Sequence, residues 1–599
     1  MQTKSHALLS LAFMIPLLLS AQQPAIYDYK GDIYEGRGPF TAADTLRGSL
    51  NPMRQFDVIK YDLTVQVHPH DRSIVGRCVW TAIAENALAE VQVDLMSEYM
   101  NIDKIALQQA PGVALPVRRL SENAVAVRLP QTYDAGERFQ LIIDYQGTPR
   151  VAPNAPWDGG FSWQYDENNK PWIGVSCEGF GASSWWPLKD HLSDEPDSGM
   201  TMTYIVPDTL VAVGNGRLVN ADAELPTDER FTTDGYTAYQ WQVENPINSY
   251  NVSLYIGDYV KIDDQFAGEE GTLDLQYWVL SGNERQASQH FKQVKPMLKC
   301  FEQVFAPYAF YEDSYKLVET SYWGMEHQSA IAYGNQYRNN EWGWDYIIVH
   351  ESGHEWFGNN ISTEDHAELW IHESFTTYSE ALLVECLLDF RTMEKYLESQ
   401  RFRIRNADAI LGPRGVNFND WASSDMYFKG SWMLHTLRKI YRLQGEQGEK
   451  GEKNRKNRMP KNDSHFKQML HDMNVHFRKQ TLNSDDLIGY INDYLGKDYT
   501  PFFAQYLAYK DLPVLQWRVE QFVPGDYYDL SYRLKADVKA LQMPVYIKTN
   551  TSGTHILPDA SKTWRTARIK IDGETKVAPT KLEDDTFLIE FDHVSSEDN

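Results

Sequence analysis

Apolar and polar residues alternate through the first part of the chain. Between residues 51 and 259, short segments place an apolar side chain at every second position, and turn residues separate them. The clearest of these segments are Tyr61-Leu63-Val65-Val67, Val91-Val93-Leu95 and Phe139-Leu141-Ile143-Tyr145. A period of two is typical of strands that bury one face, and close spacing favours antiparallel neighbours. The pattern predicts an N-terminal antiparallel β domain over residues 51–259.

After about residue 284 the apolar period lengthens toward that of a helix. We predict a mostly helical domain over residues 260–514, with helical segments at 285–305, 343–358, 366–398, 426–443, 465–480 and 484–495. Alternation then returns in the pairs Trp517 and Val519, Val545 and Ile547, and Ile569 and Ile571. This predicts a small, sandwich-like C-terminal β domain over residues 515–599. The fold class predicted for the whole chain is multidomain α+β.

One stretch interrupts the helical pattern. Residues 444–462 are rich in Gly, Glu, Lys, Asn and Arg, and the two signs of charge are mixed. Such a composition buries little apolar surface, so we interpret the stretch as a solvated surface loop. A charged binding arm is the alternative interpretation.

The first residues have the composition of a signal peptide. A basic start precedes an apolar run from residue 7 to 19, and the small residues Ser20 and Ala21 follow. We predict a cleaved signal peptide over residues 1–21, an irregular segment over 22–50, and export to the periplasm or the extracellular space. The apolar run is short for a bilayer span, so no integral membrane span is expected after cleavage. An uncleaved membrane anchor is the alternative.

Composition narrows the classes of partner. The 599-residue chain carries a formal net charge of −26, which argues against nucleic acid because nucleic-acid binding requires a basic face. A hydrophobic fraction of 42% is that of a folded protein. The four cysteines, Cys78, Cys177, Cys300 and Cys386, lie far apart and form no C-x-x-C pair. We therefore expect buried free thiols and no cysteine metal site.

The segment that carries the chemistry is His350-Glu351-Ser352-Gly353-His354, within an apolar run. On a helix, residues four apart lie on one face, so His350 and His354 can hold one metal ion together. Glu351 then lies beside the metal, where a carboxylate can bind and deprotonate a water molecule. H-E-x-x-H is the signature of zinc peptidases for this reason.

A catalytic zinc needs a third protein ligand. The next predicted helix offers Glu373, which follows His354 by nineteen positions and would fold back onto the metal in a helix–loop–helix. Glu368 and His372 are nearby alternatives that spacing alone leaves open.

The pattern His350-Glu351-x-x-His354, followed after eighteen residues by Glu373, resembles that of the gluzincin aminopeptidases, the aminopeptidase N family. Trp356-Phe357-Gly358-Asn359 and Trp370-Ile371-His372-Glu373-Ser374-Phe375 are similar to that family's W-F-G-N and W-L-N-E-G-F segments. The resemblance covers roughly residues 50–515. It implies a thermolysin-like catalytic domain, one Zn²⁺ per chain with Glu373 as third ligand, and peptide substrates that have a free N-terminus.

The same resemblance extends to a substrate-binding segment. Trp323-Gly324-Met325-Glu326-His327 is similar to the family's G-x-M-E-N motif, in which the glutamate binds the free amine and the backbone pairs with the substrate. It implies that Glu326 is the amine anchor and that Gly324 and Met325 contact substrate. Trp323 and His327 depart from the motif, at its first Gly and its Asn. The shape of the first specificity pocket therefore does not follow from the resemblance.

Two further segments complete the resemblance. Ser176-Cys177-Glu178-Gly179-Phe180 is similar to the segment that supplies the family's other amine-binding residue, here Glu178. Met426-Tyr427-Phe428-Lys429-Gly430 is similar to Y-x-K-G, whose tyrosine stabilises the oxyanion, here Tyr427. A positioned phenol can donate a hydrogen bond to the charge that develops on an attacked carbonyl.

The implied activity is a hydrolase that removes one residue at a time from peptides. Glu351 is the general base for a zinc-activated water, Tyr427 holds the oxyanion, and Glu326 and Glu178 fix the ammonium. The alternatives are the family's leukotriene hydrolase branch, disfavoured by the predicted C-terminal strands, and a peptide-binding scaffold with a decayed site, disfavoured because the functional residue types are intact.

Overall fold

The computed structural model describes residues 25–29, 31–33, 40–418, 423–448, 461–523, 527–548, 553–560, 562–570, 582 and 586–594. The predicted signal peptide lies outside these residues and stays a prediction. Part of the segment predicted to be irregular forms helix α1 (Ala42–Gly48). Thr41 caps α1, and the Asp44 carboxylate accepts from the Thr41 backbone N–H at 2.7 Å; this capping box starts a helix where an irregular segment was predicted.

Three sheets build the N-terminal region. The first has the strand order β12-β13-β10-β1-β2-β7-β4, the second β11-β14-β9-β8 and the third β3-β6-β5. The strands are β1 (Phe56–His68), β2 (Ser73–Ala84), β3 (Leu88–Asp94), β4 (Met100–Leu107), β5 (Val117–Arg119), β6 (Ala124–Tyr133), β7 (Arg138–Gly147), β8 (Gly160–Tyr165), β9 (Pro171–Ser176), β10 (Met200–Pro207), β11 (Val211–Val213), β12 (Arg217–Asn220), β13 (Tyr236–Val243) and β14 (Tyr255–Gly257).

The alternating apolar residues of β1 and β7 form buried faces of the sheet, as predicted. Leu63 and Val65 of β1 and Leu141 and Ile143 of β7 are all buried, and their chain neighbours are more exposed or face the other side of the sheet. β1 and β2 pair antiparallel, as predicted, whereas β1 and β10 pair parallel. A period of two reports a buried face and not the direction of the neighbouring strand, so the sequence could not show this exception.

The middle region of the chain combines one sheet with a set of helices. The sheet has the order β15-β16-β17-β19-β18, so β18 is an edge strand, and β20 pairs with β21 separately. The strands are β15 (Tyr259–Gly268), β16 (Gly271–Leu280), β17 (Tyr315–Glu319), β18 (Gly324–Met325), β19 (Ile331–Tyr333), β20 (Ile361–Thr363) and β21 (Gln480–Leu482). The helices are α2 (Glu284–His290), α3 (Val294–Phe305), α4 (Tyr346–Gly353), α5 (Trp370–Leu387), α6 (Phe390–Gln400), α7 (Asp425–Gly448), α8 (Lys461–His476), α9 (Ser484–Leu495) and α10 (Thr500–Leu507).

Three predictions in this region need correction. The segment 285–305 is two helices, α2 and α3, separated by a 3-10 turn at Phe291–Gln293. The segment 366–398 is two helices, because the Asp389 carboxylate accepts from the Thr392 backbone N–H at 2.9 Å and starts α6. The stretch 444–462, predicted to be a loop, is helical at both ends: α7 continues to Gly448 and α8 begins at Lys461. Gln444, Glu446 and Gln447 favour a helix, so they extend α7 once packing has started it. Residues 449–460 lie outside the described part of the chain.

A small sheet of order β26-β23-β22-β27 and the hairpin β24-β25 form the C-terminal region. The strands are β22 (Val514–Val523), β23 (Tyr527–Lys535), β24 (Val545–Lys548), β25 (Gly553–Ile556), β26 (Arg565–Lys570) and β27 (Glu590–His593). This region rests on the helices, since Tyr506 Oη donates to the Leu588 carbonyl at 2.6 Å. The multidomain α+β prediction is confirmed. Of the described helices, none has the length and apolar character needed to cross a bilayer.

The prediction of free thiols is half wrong. Cys78 and Cys177 are buried and free, but Cys300 of α3 and Cys386 of α5 form a disulfide with a Cα–Cα distance of 6.1 Å. The two half-cystines are 86 residues apart in sequence, and only the packing of α3 against α5 brings them within bonding reach. Sequence spacing carries no information about such a contact.

Candidate metal centre and substrate cavity

Helix α4 presents two histidines to one point in space. All of its residues from Ile347 to Gly353 are buried, and the helix packs against α5 and β19. His350 lies in its last turn and His354 is its C-cap residue. Their Nε2 atoms lie 3.6 Å and 3.5 Å from the Oε2 atom of Glu373, on the neighbouring helix α5. The structure thus brings the three predicted ligands together.

The far side of each imidazole is held by an acceptor. His350 Nδ1 lies 2.8 Å from Glu380 Oε1, and His354 Nδ1 lies 3.0 Å from the Phe357 carbonyl oxygen. A carbonyl oxygen can only accept, so His354 carries its proton on Nδ1, and the Glu380 carboxylate favours the same tautomer for His350. Both Nε2 lone pairs then point toward Glu373, as in metal sites whose histidines are oriented by outer partners.

The donor set fits a zinc ion. Tetrahedral zinc with ligands at about 2.1 Å requires ligand atoms about 3.4 Å apart, which agrees with the Glu373 distances. Glu373 Oε2 is buried and has no hydrogen-bond partner among the described residues, as expected of an atom that binds a metal. Burial alone would raise the pKa of Glu373, but the neighbouring His354 and His350 outweigh it and lower that pKa, so the carboxylate is ionised.

The two alternative third ligands are engaged elsewhere. The Glu368 carboxylate accepts from Arg414 Nε at 2.9 Å and from Ser484. His372 Nε2 lies 3.2 Å from Thr363 Oγ1, and burial lowers the pKa of His372 to about 3. Neither residue belongs to a metal-binding group within the described chain. The geometry therefore favours Glu373, as the resemblance implied.

Replacing Glu373 by Ala should abolish stable metal binding. The site would keep two imidazoles, too few protein ligands for a catalytic zinc. We expect the affinity for zinc to fall by more than about 100-fold, the upper limit for loss of an outer partner. Competition with a chromophoric chelator measures it. The matched control, Glu368→Gln, should keep zinc; full zinc occupancy in Glu373→Ala would show that another residue is the third ligand.

Glu380 is a site residue that was not predicted from the sequence. It lies seven residues, or two turns, beyond Glu373 on α5, so both carboxylates face α4. Its Oε2 accepts from Gln400 Nε2 at 3.2 Å and from Tyr396 Oη, which hold the carboxylate in place. The seven-residue spacing from Glu373 is the sequence signal that could have identified Glu380.

Replacing Glu380 by Gln should weaken metal binding without removing a ligand. The amide keeps the side-chain shape and its oxygen can still accept, but without the negative charge it favours a proton on His350 Nδ1 less strongly. Loss of such an outer partner costs about 10- to 100-fold in metal affinity. The same chelator competition measures it, and an affinity equal to that of the wild type would show that Glu380 does not orient His350.

A second group of acidic residues adjoins the metal centre. Atoms of Glu326, Glu351 and His354 lie within 4.8 Å of one another, and His354 is shared with the metal group. Burial is the main cause that raises the pKa of Glu326, Glu351 and Glu178, and the charges of neighbouring carboxylates add to it. Glu178 Oε1 has no partner in the described part of the chain. Clustered buried carboxylates are costly without cations, so this site is built to receive positive charge.

One cavity of about 670 Å³ contains all nine residues singled out by the sequence. They are Glu178, Gly324, Met325, Glu326, His350, Glu351, His354, Glu373 and Tyr427. Gly324 is needed because its strand runs directly against the catalytic helix: a Cβ there would lie 2.6 Å from Glu351 Oε1 and 2.7 Å from Ile347 Cγ2. The close approach places the edge strand β18 beside Glu351.

The two departures from the family motif have different consequences. His327 is fully buried, lies 2.5 Å from Tyr255 Oη through Nδ1, and has a pKa lowered to about 3 by burial. It does not line the cavity, so it acts in the core. Trp323 lines the cavity and is 43% exposed. Tyr250, a further residue without a predicted role, donates from Oη to Glu326 Oε1 at 3.1 Å.

Tyr427 reaches the site from the first turn of α7. Helix α7 packs closely on α5 at Gly430, where a Cβ would meet Ser374 Oγ at 1.8 Å. Lys429 Nζ donates to the carbonyls of Tyr509 and Lys510 at 3.0 Å and 2.7 Å. The Tyr427 ring lies 6.0 Å from the His350 ring. Burial, and then the charge of Glu373, raise the pKa of Tyr427, so the phenol stays protonated and can donate.

Comparison with known proteins agrees with this geometry. Residues 291–447 match the family model described as the Peptidase family M1 domain. The chain is 21% identical over 361 residues to leucine aminopeptidase 2 of Coccidioides immitis, covering 57% of this chain and 53% of that protein. It is 24% identical over 286 residues to aminopeptidase B of Mus musculus, covering 46% of this chain and 39% of that protein. The chain thus spans 39% to 53% of the length of these curated relatives.

Solved structures show the same fold. An M1 zinc metallopeptidase mutant from Deinococcus radiodurans, bound to a Tyr-Ser-Ala substrate, has a TM-score of 0.61 at 20% identity, covering 76% of this chain and 94% of that one. Native yeast LTA4 hydrolase has a TM-score of 0.58 at 16% identity, covering 78% of this chain and 70% of that one. At these identities the likeness concerns the fold.

Proposed function

We propose that this chain, whose residues 291–447 match the Peptidase family M1 domain, is a zinc-dependent aminopeptidase. One observation carries the proposal: Glu326 lies within 4.8 Å of both Glu351 and His354. The nitrogen and carbonyl carbon of one residue are only about 2.5 Å apart. A substrate ammonium bound at Glu326 therefore places the carbonyl of that same residue beside Glu351, and only the first peptide bond reaches the reacting groups.

Each residue then has a defined task. Glu326 and Glu178 bind the ammonium, and Tyr250 holds the Glu326 carboxylate in place. Glu351 accepts a proton from the attacking water and returns it to the leaving amine. The Tyr427 phenol donates to the oxygen that becomes negative. His350, His354 and Glu373 would hold zinc, which supplies a Lewis acid for the water and the carbonyl.

Removing the metal tests the proposal. Purified wild-type protein should contain one zinc per chain and release the chromophore from alanyl-p-nitroanilide. Dialysis against a chelator should abolish this release, and one equivalent of zinc should restore it. Release that continues in metal-free protein would contradict the proposed function.

Replacing Tyr427 by Phe should lower kcat and leave KM nearly unchanged. The hydroxyl acts mainly in the transition state, and loss of an oxyanion donor costs about 100- to 1,000-fold. Steady-state kinetics on an alanyl peptide measure both constants. Tyr441→Phe, a tyrosine further along α7 and outside the cavity, is the control. An effect of Tyr427→Phe on KM alone would count against the oxyanion role.

We also propose that the protein works outside the cytoplasm. The composition of residues 1–21 supports this. The Cys300–Cys386 disulfide gives independent support, because disulfides form and persist mainly in oxidising compartments. Fractionation of the producing cell, with mass measurement of the mature N-terminus, tests it.

A further inference from the structure

Two tryptophans lie at the mouth of the substrate cavity with much of their surface free. Trp157 is 61% exposed and Trp323 is 43% exposed, and their ring centroids are 6.1 Å apart. Both side chains line the cavity. Tryptophan is on average highly buried, so a contacting pair beside an active site suggests a surface that a ligand covers.

The Trp323 ring is held in a fixed position. It stacks on Tyr346 with a centroid distance of 5.4 Å, and Tyr346 stacks on His350 at 5.3 Å. Trp323 Nε1 donates to Asn335 Oδ1 at 3.1 Å, which uses its one polar group. What remains for a ligand is aromatic surface, at most about 11 Å from the His350 ring by these two stacking distances.

The loop that carries Trp157 is also braced. Ser176 Oγ donates to the Pro156 carbonyl at 3.1 Å, and Arg150 Nη1 donates to the Gly159 carbonyl at 2.6 Å. The Asn154 N–H donates to Asp158 Oδ1 at 2.9 Å within the loop. The two rings therefore form a preformed wall.

The direction of a bound peptide follows from the edge strand β18. An extended peptide can pair with a free strand edge, and each of its residues advances about 3.3 Å. If its ammonium is at Glu326, its first residue lies along Met325 and its first carbonyl lies beside Gly324, which abuts Glu351. The next residue of the peptide then lies beside Trp323.

We propose that Trp157 and Trp323 form the subsite for the side chain of the substrate's second residue, and that this subsite selects large apolar and aromatic side chains. The inference rests on the proposed aminopeptidase function and specifies its substrates. A second residue with such a side chain covers both rings, whereas alanine leaves them in water. Trp323 is a departure from the family motif, so the preference belongs to this chain.

Tripeptides that differ only in the second residue test the subsite. For wild-type protein, kcat/KM for release of alanine from Ala-Phe-Ala should exceed that for Ala-Ala-Ala by about 10- to 100-fold. The ratio should fall below about threefold in Trp157→Ala and in Trp323→Ala. Trp157→Ala leaves the stack of Trp323 on Tyr346 in place, so it separates loss of the subsite from disturbance of His350. Tyr165→Ala, an exposed aromatic residue outside the cavity, should keep the wild-type ratio.

Binding gives a readout that does not depend on turnover. In zinc-loaded Glu351→Gln, calorimetry should show Ala-Phe-Ala bound more tightly than Ala-Ala-Ala, and adding Trp157→Ala should remove the difference. A wild type that releases alanine from all tripeptides without preference, or that prefers Ala-Lys-Ala, overturns the aromatic subsite while the aminopeptidase function stands. A wild type that neither cleaves nor binds any of them overturns both.

Discussion

Glu351→Gln should bind zinc normally and hydrolyse peptides at least about 100-fold, and up to about 10,000-fold, more slowly than the wild type. Glutamine keeps the shape of the side chain, so the close approach of Gly324 is undisturbed. It cannot accept a proton from water at neutral pH. Glu351 is outside the group His350, His354 and Glu373, so the metal should stay.

The measurement is kcat at saturating substrate together with zinc content. Glu355→Gln is the matched control, because Glu355 lies one turn further along, accepts from the Ser329 N–H at 2.7 Å and does not line the cavity. Its pKa is raised to about 8 by burial, so it is already largely neutral and the amide should be tolerated. A zinc-loaded Glu351→Gln with more than about a tenth of wild-type turnover would show that another group is the base.

Glu326→Ala should cost about 100-fold to several thousandfold in kcat/KM on peptides with a free N-terminus. Removing one partner of a buried charge pair costs about 3–5 kcal/mol, because the ammonium would lose its counterion in a site with little water. Glu326→Gln, which keeps the hydrogen bond from Tyr250 but loses the charge, should lose most of the same activity. If the amide variant is fully active, charge is not what Glu326 contributes.

Local patterns in the sequence predicted the site well. The interval of four between His350 and His354 is set by the helix itself, so their shared face follows from sequence. The alternation in β1 likewise identified its buried face. Gly324 and Gly430 occur where a Cβ would collide with Glu351 or Ser374. The Y-x-K-G motif marks Gly430, whereas Gly324 stands at the variable position of G-x-M-E-N and only the structure explains it.

What the sequence could not predict depends on contacts between distant elements. Spacing alone left Glu368 open as third ligand, and only the resemblance favoured Glu373; the physical reason is that Arg414 and Ser484, from other parts of the chain, engage Glu368. The pairing of Cys300 with Cys386 required the packing of α3 on α5. The contact between Trp157, which lies between β7 and β8, and Trp323, which lies between β17 and β18, also joins elements that are distant in sequence.

The central claim is that the buried carboxylate of Glu326 binds the free ammonium group of a peptide substrate. A double cycle of kcat/KM tests it most directly, with wild type and Glu326→Ala each acting on one peptide in its free and its N-acetylated form. We predict that acetylation and Glu326→Ala each remove most of the activity, and that together they cost little more than either alone, since both remove one interaction. Efficient cleavage of the acetylated peptide by the wild type, or losses that simply add, would contradict the account and indicate an endopeptidase.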